Sequence, residues 1–321
     1  MPEMKQRLKT AGAILATTAV YFCAGKFGLS LAFVHPSASA VWPASGIALA
    51  LLLLWGRWLW PGIFLGAFLV NVTTLGSVPT SLGIAASTTL EALLGLWSVN
   101  LFAGGAKFFR QARNVLRFIL LTAVLSTTVA ATGGLVSLIL GGYAERPSYP
   151  EIWFTWWLGD MVGDLIVAPL LVIWFSQPLP ALKPKRLPEA AGLLITLLLV
   201  SRTIFLGNIP SGLEYLALPV LLWAAFRFGE RGAVTAAFLM SGIALLGTLQ
   251  DRGPFVTPNP NNSLILLQAF MGTLTVTALV LASMISEQKQ TEQRLVIQDA
   301  VSRILAESPP FAKPPLKSSK L

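Results

Sequence analysis

Charge is what this sequence has least of. Only 12% of its 321 residues are Asp, Glu, Lys or Arg, about half the share in an average soluble chain. One cysteine, Cys23, excludes an intrachain disulfide and a thiolate zinc site, and one histidine, His35, excludes a two-histidine metal centre. The two are too isolated to read as a nucleophile and its base. No Gly-rich phosphate loop opens a helix in a polar region, so no nucleotide or other cofactor is expected. Acidic residues are also scarce, which leaves a net charge of +9.

What fills the chain instead is apolar: 55% of residues are hydrophobic, and they come in long blocks. Such blocks predict an all-α, polytopic membrane helix bundle. About ten spans are expected, near 11–34, 38–55, 59–76, 80–103, 115–140, 151–175, 188–207, 213–227, 232–250 and 263–285. The first follows Lys5, Arg7 and Lys9 and lacks a small-x-small cleavage site, so it reads as an uncleaved helix.

Loop charges set the orientation. With the N-terminus inside the cell, the inner segments hold Lys5, Arg7, Lys9, Arg57, Lys107, Arg110, Arg113, Arg117, Lys183, Lys185, Arg186, Arg227, Arg231 and the tail residues Lys289, Arg294, Arg303, Lys313, Lys317 and Lys320. The outer loops hold Arg146 and Arg252. This asymmetry follows the positive-inside rule and places both ends in the cytoplasm, with the chain multi-pass in the inner (plasma) membrane. It also accounts for the basic balance without nucleic acid. Turn formers mark the outer loops: His35-Pro36-Ser37, Gly76 to Pro79, Arg146-Pro147 and Thr257 to Pro260.

Four regions are expected: a cytoplasmic segment 1–10, a membrane domain 11–285, a polar helix 286–307 leaving the membrane, and a Pro-, Lys- and Ser-rich disordered tail 308–321. In the third, Ile297, Val301 and Ile304 share a face, a pattern too short to define a coiled coil.

The chemistry concentrates in Trp153–Pro169, WFTWWLGDMVGDLIVAP. Four-residue spacing puts Trp156, Asp160 and Asp164 on one helix face. A carboxylate near the bilayer centre costs roughly 2.5–3.5 kcal/mol on insertion scales, so it calls for protein, water or a cation. Asp160 lies roughly 13 Å in from the outer end of its helix, Lys26 roughly 12 Å and Arg202 roughly 8 Å. An ion pair of Asp160 with Lys26 or Arg202, or a polar cavity open to the outside, is therefore expected. A structural ion pair fixing helix register is the plainer alternative. Glu91 is a lone intramembrane acid and lines the same kind of site, or is a protonated carboxyl bonded to backbone. Trp42-Pro43 reads as a kink with an interfacial anchor or as part of the site, and Asn71 as a group bonding across helices. Trp60-Pro61 opens a helix in which Gly62 and Gly66 form a face for close packing. Asp160 and Asp164 share one helix, which sets them apart from intramembrane aspartyl proteases, whose carboxylates converge from two.

These segments, HPSASAVWPASGIALALLLLWGRWLWPGIFLGAFLVNVTT (35–74), SLGIAASTTLEALLGLW (81–97), NVLRFILLTAVLSTTVAATGGLVSL (114–138) and WFTWWLGDMVGDLIVAPLLVIW (153–174), resemble the membrane-associated sensor domain, type one, of the MASE group. The resemblance runs over about residues 10 to 285. It marks Trp42, Pro43, Gly46, Trp60, Pro61, Asn71, Glu91, Trp156, Trp157, Gly159, Asp160 and Pro169; Asp164 and Ser87 depart from the small residue and the glycine usual there. It implies a non-enzymatic input domain of bacterial signalling proteins, with histidine kinases or cyclic di-GMP enzymes as outputs and a homodimer or such a kinase or cyclase as partner. The signal, a small molecule or a protein, is not specified by the resemblance. Residues 300–307 are similar to the start of a GAF-type domain, and no output domain is expected in this chain. Transporters or permeases are the rival class, since they too have buried charges and broken helices; a membrane scaffold is a third.

Overall fold

The computed structural model describes residues 2–31, 41–74, 76–178, 184–207 and 212–307. The loop around His35 and the tail 308–321 lie outside them. The described residues are helical apart from short connections: α1 (Pro2–Ser30), α2 (Pro43–Trp55), α3 (Trp60–Val72), α4 (Val78–Phe102), α5 (Ala112–Phe118), a π-helical stretch (Ile119–Ser126) leading into α6 (Thr127–Leu140), α7 (Tyr149–Ser176), α8 (Leu187–Leu206), α9 (Ala217–Leu249) and α10 (Pro260–Glu307). Proline stands in the first turn of α2, α3, α4, α7 and α8, where its missing N–H would have had no partner and its φ already suits a helix.

Among the described residues, seven segments are long and apolar enough to cross a membrane: Gln6–Ser30, Val78–Phe102, Ala112–Leu140, Arg146–Ser176, Leu187–Leu206, Glu214–Leu249 and Pro260–Ile304. The protein is thus a multi-pass helical membrane protein. Two expected spans, 38–55 and 59–76, correspond to the shorter helices α2 and α3, of 13 residues each, or about 20 Å. The expected break between 213–227 and 232–250 falls at Gly229 inside α9, where φ is 63° and ψ −147°. A Cβ on Gly232 would lie 2.5 Å from the Ala224 carbonyl oxygen, whereas eight residues of straight helix span about 12 Å. The chain therefore folds back at Gly229. Only glycine adopts this backbone readily, so Gly229→Ala is expected to cost about 1–3 kcal/mol, read as a lower unfolding midpoint in detergent.

α7 is the axis of the bundle. Within its best membrane-length window 72% of residues are buried, against 28% for α1 and for α8. α2, α6, α9 and α10 pack directly on it, while α1 and α4 also pack on α2. Small residues set the close approaches. On α3, Gly62 lies where a Cβ would be 2.6 Å from Ile14 O, and Gly66 faces Thr18 and Tyr21 of α1. Between α4 and α6, Gly133 meets Ser87 and Gly83 meets Ser137. Such contacts give van der Waals packing where lipid offers no hydrophobic drive between helices.

Candidate functional site

α2 begins against the middle of α7. The Trp42 N–H donates to Gly159 O at 3.0 Å, and Gly159 is about 15 Å along the axis from the first residue of α7. The Ser45 hydroxyl donates to Trp42 O at 2.9 Å and reaches Asp160 O at 3.2 Å. The crossing itself is glycine on glycine: a Cβ on Gly46 would strike Gly163 O and lie 2.8 Å from the Val167 Cβ, and one on Gly163 would strike Trp42 O. The backbones touch, so α2 cannot shift without moving α7.

Around this crossing sits a cluster of polar side chains from four elements. Asp160 and Asp164 of α7 and Glu91 of α4 are 1%, 2% and 2% exposed, and the three carboxyls lie close enough to feel one another electrostatically. Tyr21 of α1, 1% exposed, lies within the field of all three and near the Trp42 indole. The Trp156 indole lies near the Asp160 carboxyl and packs its six-membered ring on Gly134 of α6. Both carboxyl oxygens of Asp160, both of Glu91 and one of Asp164 nevertheless have no hydrogen-bond partner. Among the described residues no His, Cys, Asp and Glu group is arranged to hold a metal ion.

The expected ion pair is absent. Lys26 turns to α3 and the segment after it, donating to Val70 O at 3.3 Å and to Thr74 Oγ1 at 2.8 Å. Arg202 is exposed on the peripheral helix α8. The depth arithmetic placed these cations at the right height, but height does not fix direction around a helix, and both face away from α7. The carboxyls are also sealed in and do not line an open cavity. Trp42, Pro43, Glu91, Trp156 and Asp160 do come together. Trp60 does not: it is 46% exposed at the start of α3. Asn71 satisfies its own helix, donating to Ala67 O at 2.8 Å, with no bond across helices.

Trp157 serves a different contact. Its indole donates to Val124 O at 2.9 Å, a carbonyl inside the π-helical stretch, where the wider turn disrupts the usual ladder. Trp153 stacks on Trp157 at 5.7 Å and donates to Thr132 Oγ1 at 3.0 Å. The pair thus locks α7 to α6 along the irregular segment. Trp157→Phe keeps the ring and removes the donor, and is expected to cost about 1–2 kcal/mol, measured as a lowered unfolding midpoint.

Two site residues had no role in the sequence reading. Tyr21 sits in an unbroken apolar run that gives no signal. Gly163 did have one: Gly159-x-x-x-Gly163 is a small-xxx-small spacing, which marks a helix contact.

The comparison with curated proteins and the comparison with solved structures each return no match. The MASE1 family model matches residues 13–289, a range that takes in all of α2 to α9, most of α1 and of α10, and every residue of the polar cluster. With its buried site built from α1, α2, α4 and α7, the chain belongs to the MASE1 family of membrane sensory domains.

Proposed function

We propose that the chain is the sensory input domain of a bacterial signal-transduction protein of the inner membrane, acting on a histidine kinase or on an enzyme of cyclic di-GMP turnover and not itself catalytic. The observation that carries this reading is α10. It runs unbroken for 48 residues, buried in the bundle from Leu264 to Ile285 and exposed on its outward-running part, where Leu295, Val296 and Ile297 are 59%, 70% and 63% exposed. Near Ile285 it packs on α5, and the Glu287 carboxylate accepts from Ala112 N at 3.4 Å. A helix that is core at one end and free-standing at the other is a lever from bundle to cytoplasm.

Ten crossings, with both ends cytoplasmic, agree with the seven long segments, the two short apolar helices and the reversal at Gly229. The unit divides into a membrane body over 11–285 and a signalling helix over 286–307. A homodimer is the expected assembly, because outputs of this kind act in pairs. Fusing residues 1–307 to a reporter kinase and placing tags in successive loops tests the reading. Output that responds to point changes in the bundle supports it; output indifferent to all of them rejects it. A transporter is the second reading, favoured by α2 beginning midway along α7, as broken helices do in carriers. Uptake into liposomes would establish it.

A further inference from the structure

Three buried carboxyls that share one cluster need a chemical reason to be there. An ionised carboxylate only accepts hydrogen bonds. Glu91, Asp160 and Asp164 therefore present acceptors to one another, and five of their oxygens are unpartnered. Among the described residues no ion pair reaches these groups, and the short turn Gly105–Arg110, which packs on α4 and α7, carries Lys107 and Arg110 exposed. α2, α3, α6 and the π-helical stretch contain no Asp, Glu, Lys, Arg or His, and α10 contains none before Glu287. On α1, Tyr21 faces the cluster, and Lys26 is engaged with Val70 and Thr74. On α9 the charged residues lie near the Gly229 turn: Arg227 pairs with Glu189 of α8, Glu230 accepts from Gln177, and Arg231 donates to Gln177 O and Pro178 O. α5 holds Arg113 and Arg117, the latter bonded to Phe102 O. The N-terminal end of α2, which abuts Gly159–Gly163, brings positive potential to the cluster and would favour a single negative charge.

A second unpartnered group points the same way. Thr122 of the π-helical stretch is fully buried and its hydroxyl has no partner. Its methyl lies beside Gly95, one helical turn from Glu91 on the same face of α4. A proton on any of the three acids turns an acceptor into a donor and removes one of the like charges. Among the described residues no group of three His, Cys, Asp or Glu side chains converges as metal ligands would.

We propose that Glu91, Asp160 and Asp164 form a proton-binding site where α4 meets the joined helices α2 and α7, and that its occupancy sets how α4 packs against α2. This deepens the sensory reading and rests on it for its consequence, though not for its chemistry. Each proton binds from the aqueous phase to a carboxylate oxygen and is returned to it on release. With the protons in place the carboxyls bond to one another and the helices close. When they leave, like charges remain close together without a cation, and the α4–α2 contact opens. α7 packs directly on α10, so the two states place the exit helix differently. A stimulus that prefers one state shifts the balance.

The test is infrared difference spectroscopy of the full chain in lipid nanodiscs, titrated with pH, for the wild type and for E91Q, D160N, D164N and the triple variant. Each amide mimics the neutral acid in shape and charge. At neutral pH a protonated-carboxyl band is expected; each single substitution should reduce it and the triple variant should lose it. Raising the pH should remove the band in the wild type together with a change in tryptophan fluorescence, which the triple variant lacks. Should one amide variant fail to fold, the wild-type band and the remaining variants still decide. A band absent at neutral pH, or one that persists in the triple variant, overturns the proposal. So does a titration that shifts when sodium is replaced by choline, which would make the ligand a metal cation. A silent reporter fusion alongside a normal band would instead reject the sensory reading and leave the proton site standing.

Discussion

Gly163→Ala is expected to destabilise the folded bundle by about 3 kcal/mol or more, at the top of the range for overpacked cores. The added methyl would strike the Trp42 carbonyl oxygen and lie 2.7 Å from Ser45 Oγ. A side chain could rotate away, but a backbone carbonyl at the start of a helix can move only if α2 moves. Separation of α2 from α7 would also break the Trp42 N–H bond to Gly159 O and the Ser45 bond to Asp160 O, worth about 1 kcal/mol each. Gly46→Ala meets the same crossing from the other side and is expected to behave alike. The controls are Gly192→Ala and Gly242→Ala, where a Cβ meets nothing within 4 Å. In a helix interior the gain over glycine there is about 0.5–1 kcal/mol in favour of alanine. Unfolding midpoints in detergent, with the yield of monodisperse protein, should separate the two pairs. An unchanged midpoint in Gly163→Ala would mean that the crossing is looser than described, and would remove the mechanical link between α2 and α7.

How far this site could be read from the chain depends on what each residue does to the local pattern. Asp160 and Glu91 interrupt long apolar runs, so they stand out as costly and in need of company. Gly62 and Gly66 repeat at four residues and duly meet α1. The partner of Asp160 was harder. Position along a helix fixes its height, but direction around the axis depends on packing that no single segment encodes; Lys26 thus looked suitable and faces α3. The π-helical stretch Ile119–Ser126 contains neither Gly nor Pro, and its extra width comes from tertiary contacts with Trp157 and α4. α2 looked like a full span because its apolar run is continuous with residues before Trp42. Its helix starts only at Pro43, where the Trp42 N–H finds its acceptor on another helix. Burial of backbone groups by tertiary partners leaves little trace in a sequence.

Inserting residues into α10 just after Ser286 should change signal output according to helical phase. From Thr273 to Glu307 the helix contains no Gly or Pro, the residues that most often kink or loosen one. Its buried positions Leu264, Leu267, Met271, Leu274, Ala278, Ala282 and Ile285 recur at three and four residues, the spacing of a single helix face. That face is fixed by the bundle, so whatever follows is fixed in angle relative to it. One inserted residue turns the downstream part by about 100° and advances it about 1.5 Å; seven turn it by a net angle of only about 20°. In a reporter-kinase fusion, one- and two-residue insertions are expected to change output at least about fivefold, the effect of ~1 kcal/mol on the balance between two states. A seven-residue insertion is expected to restore most of it, although the output domain then sits about 10 Å farther from the membrane. Restoration would show that angle, and not distance, carries the signal. Equal output from every insertion length would mean that the segment after Ile285 acts as a slack tether, and α10 would then have no part in transmitting a change where α4 meets α2 and α7.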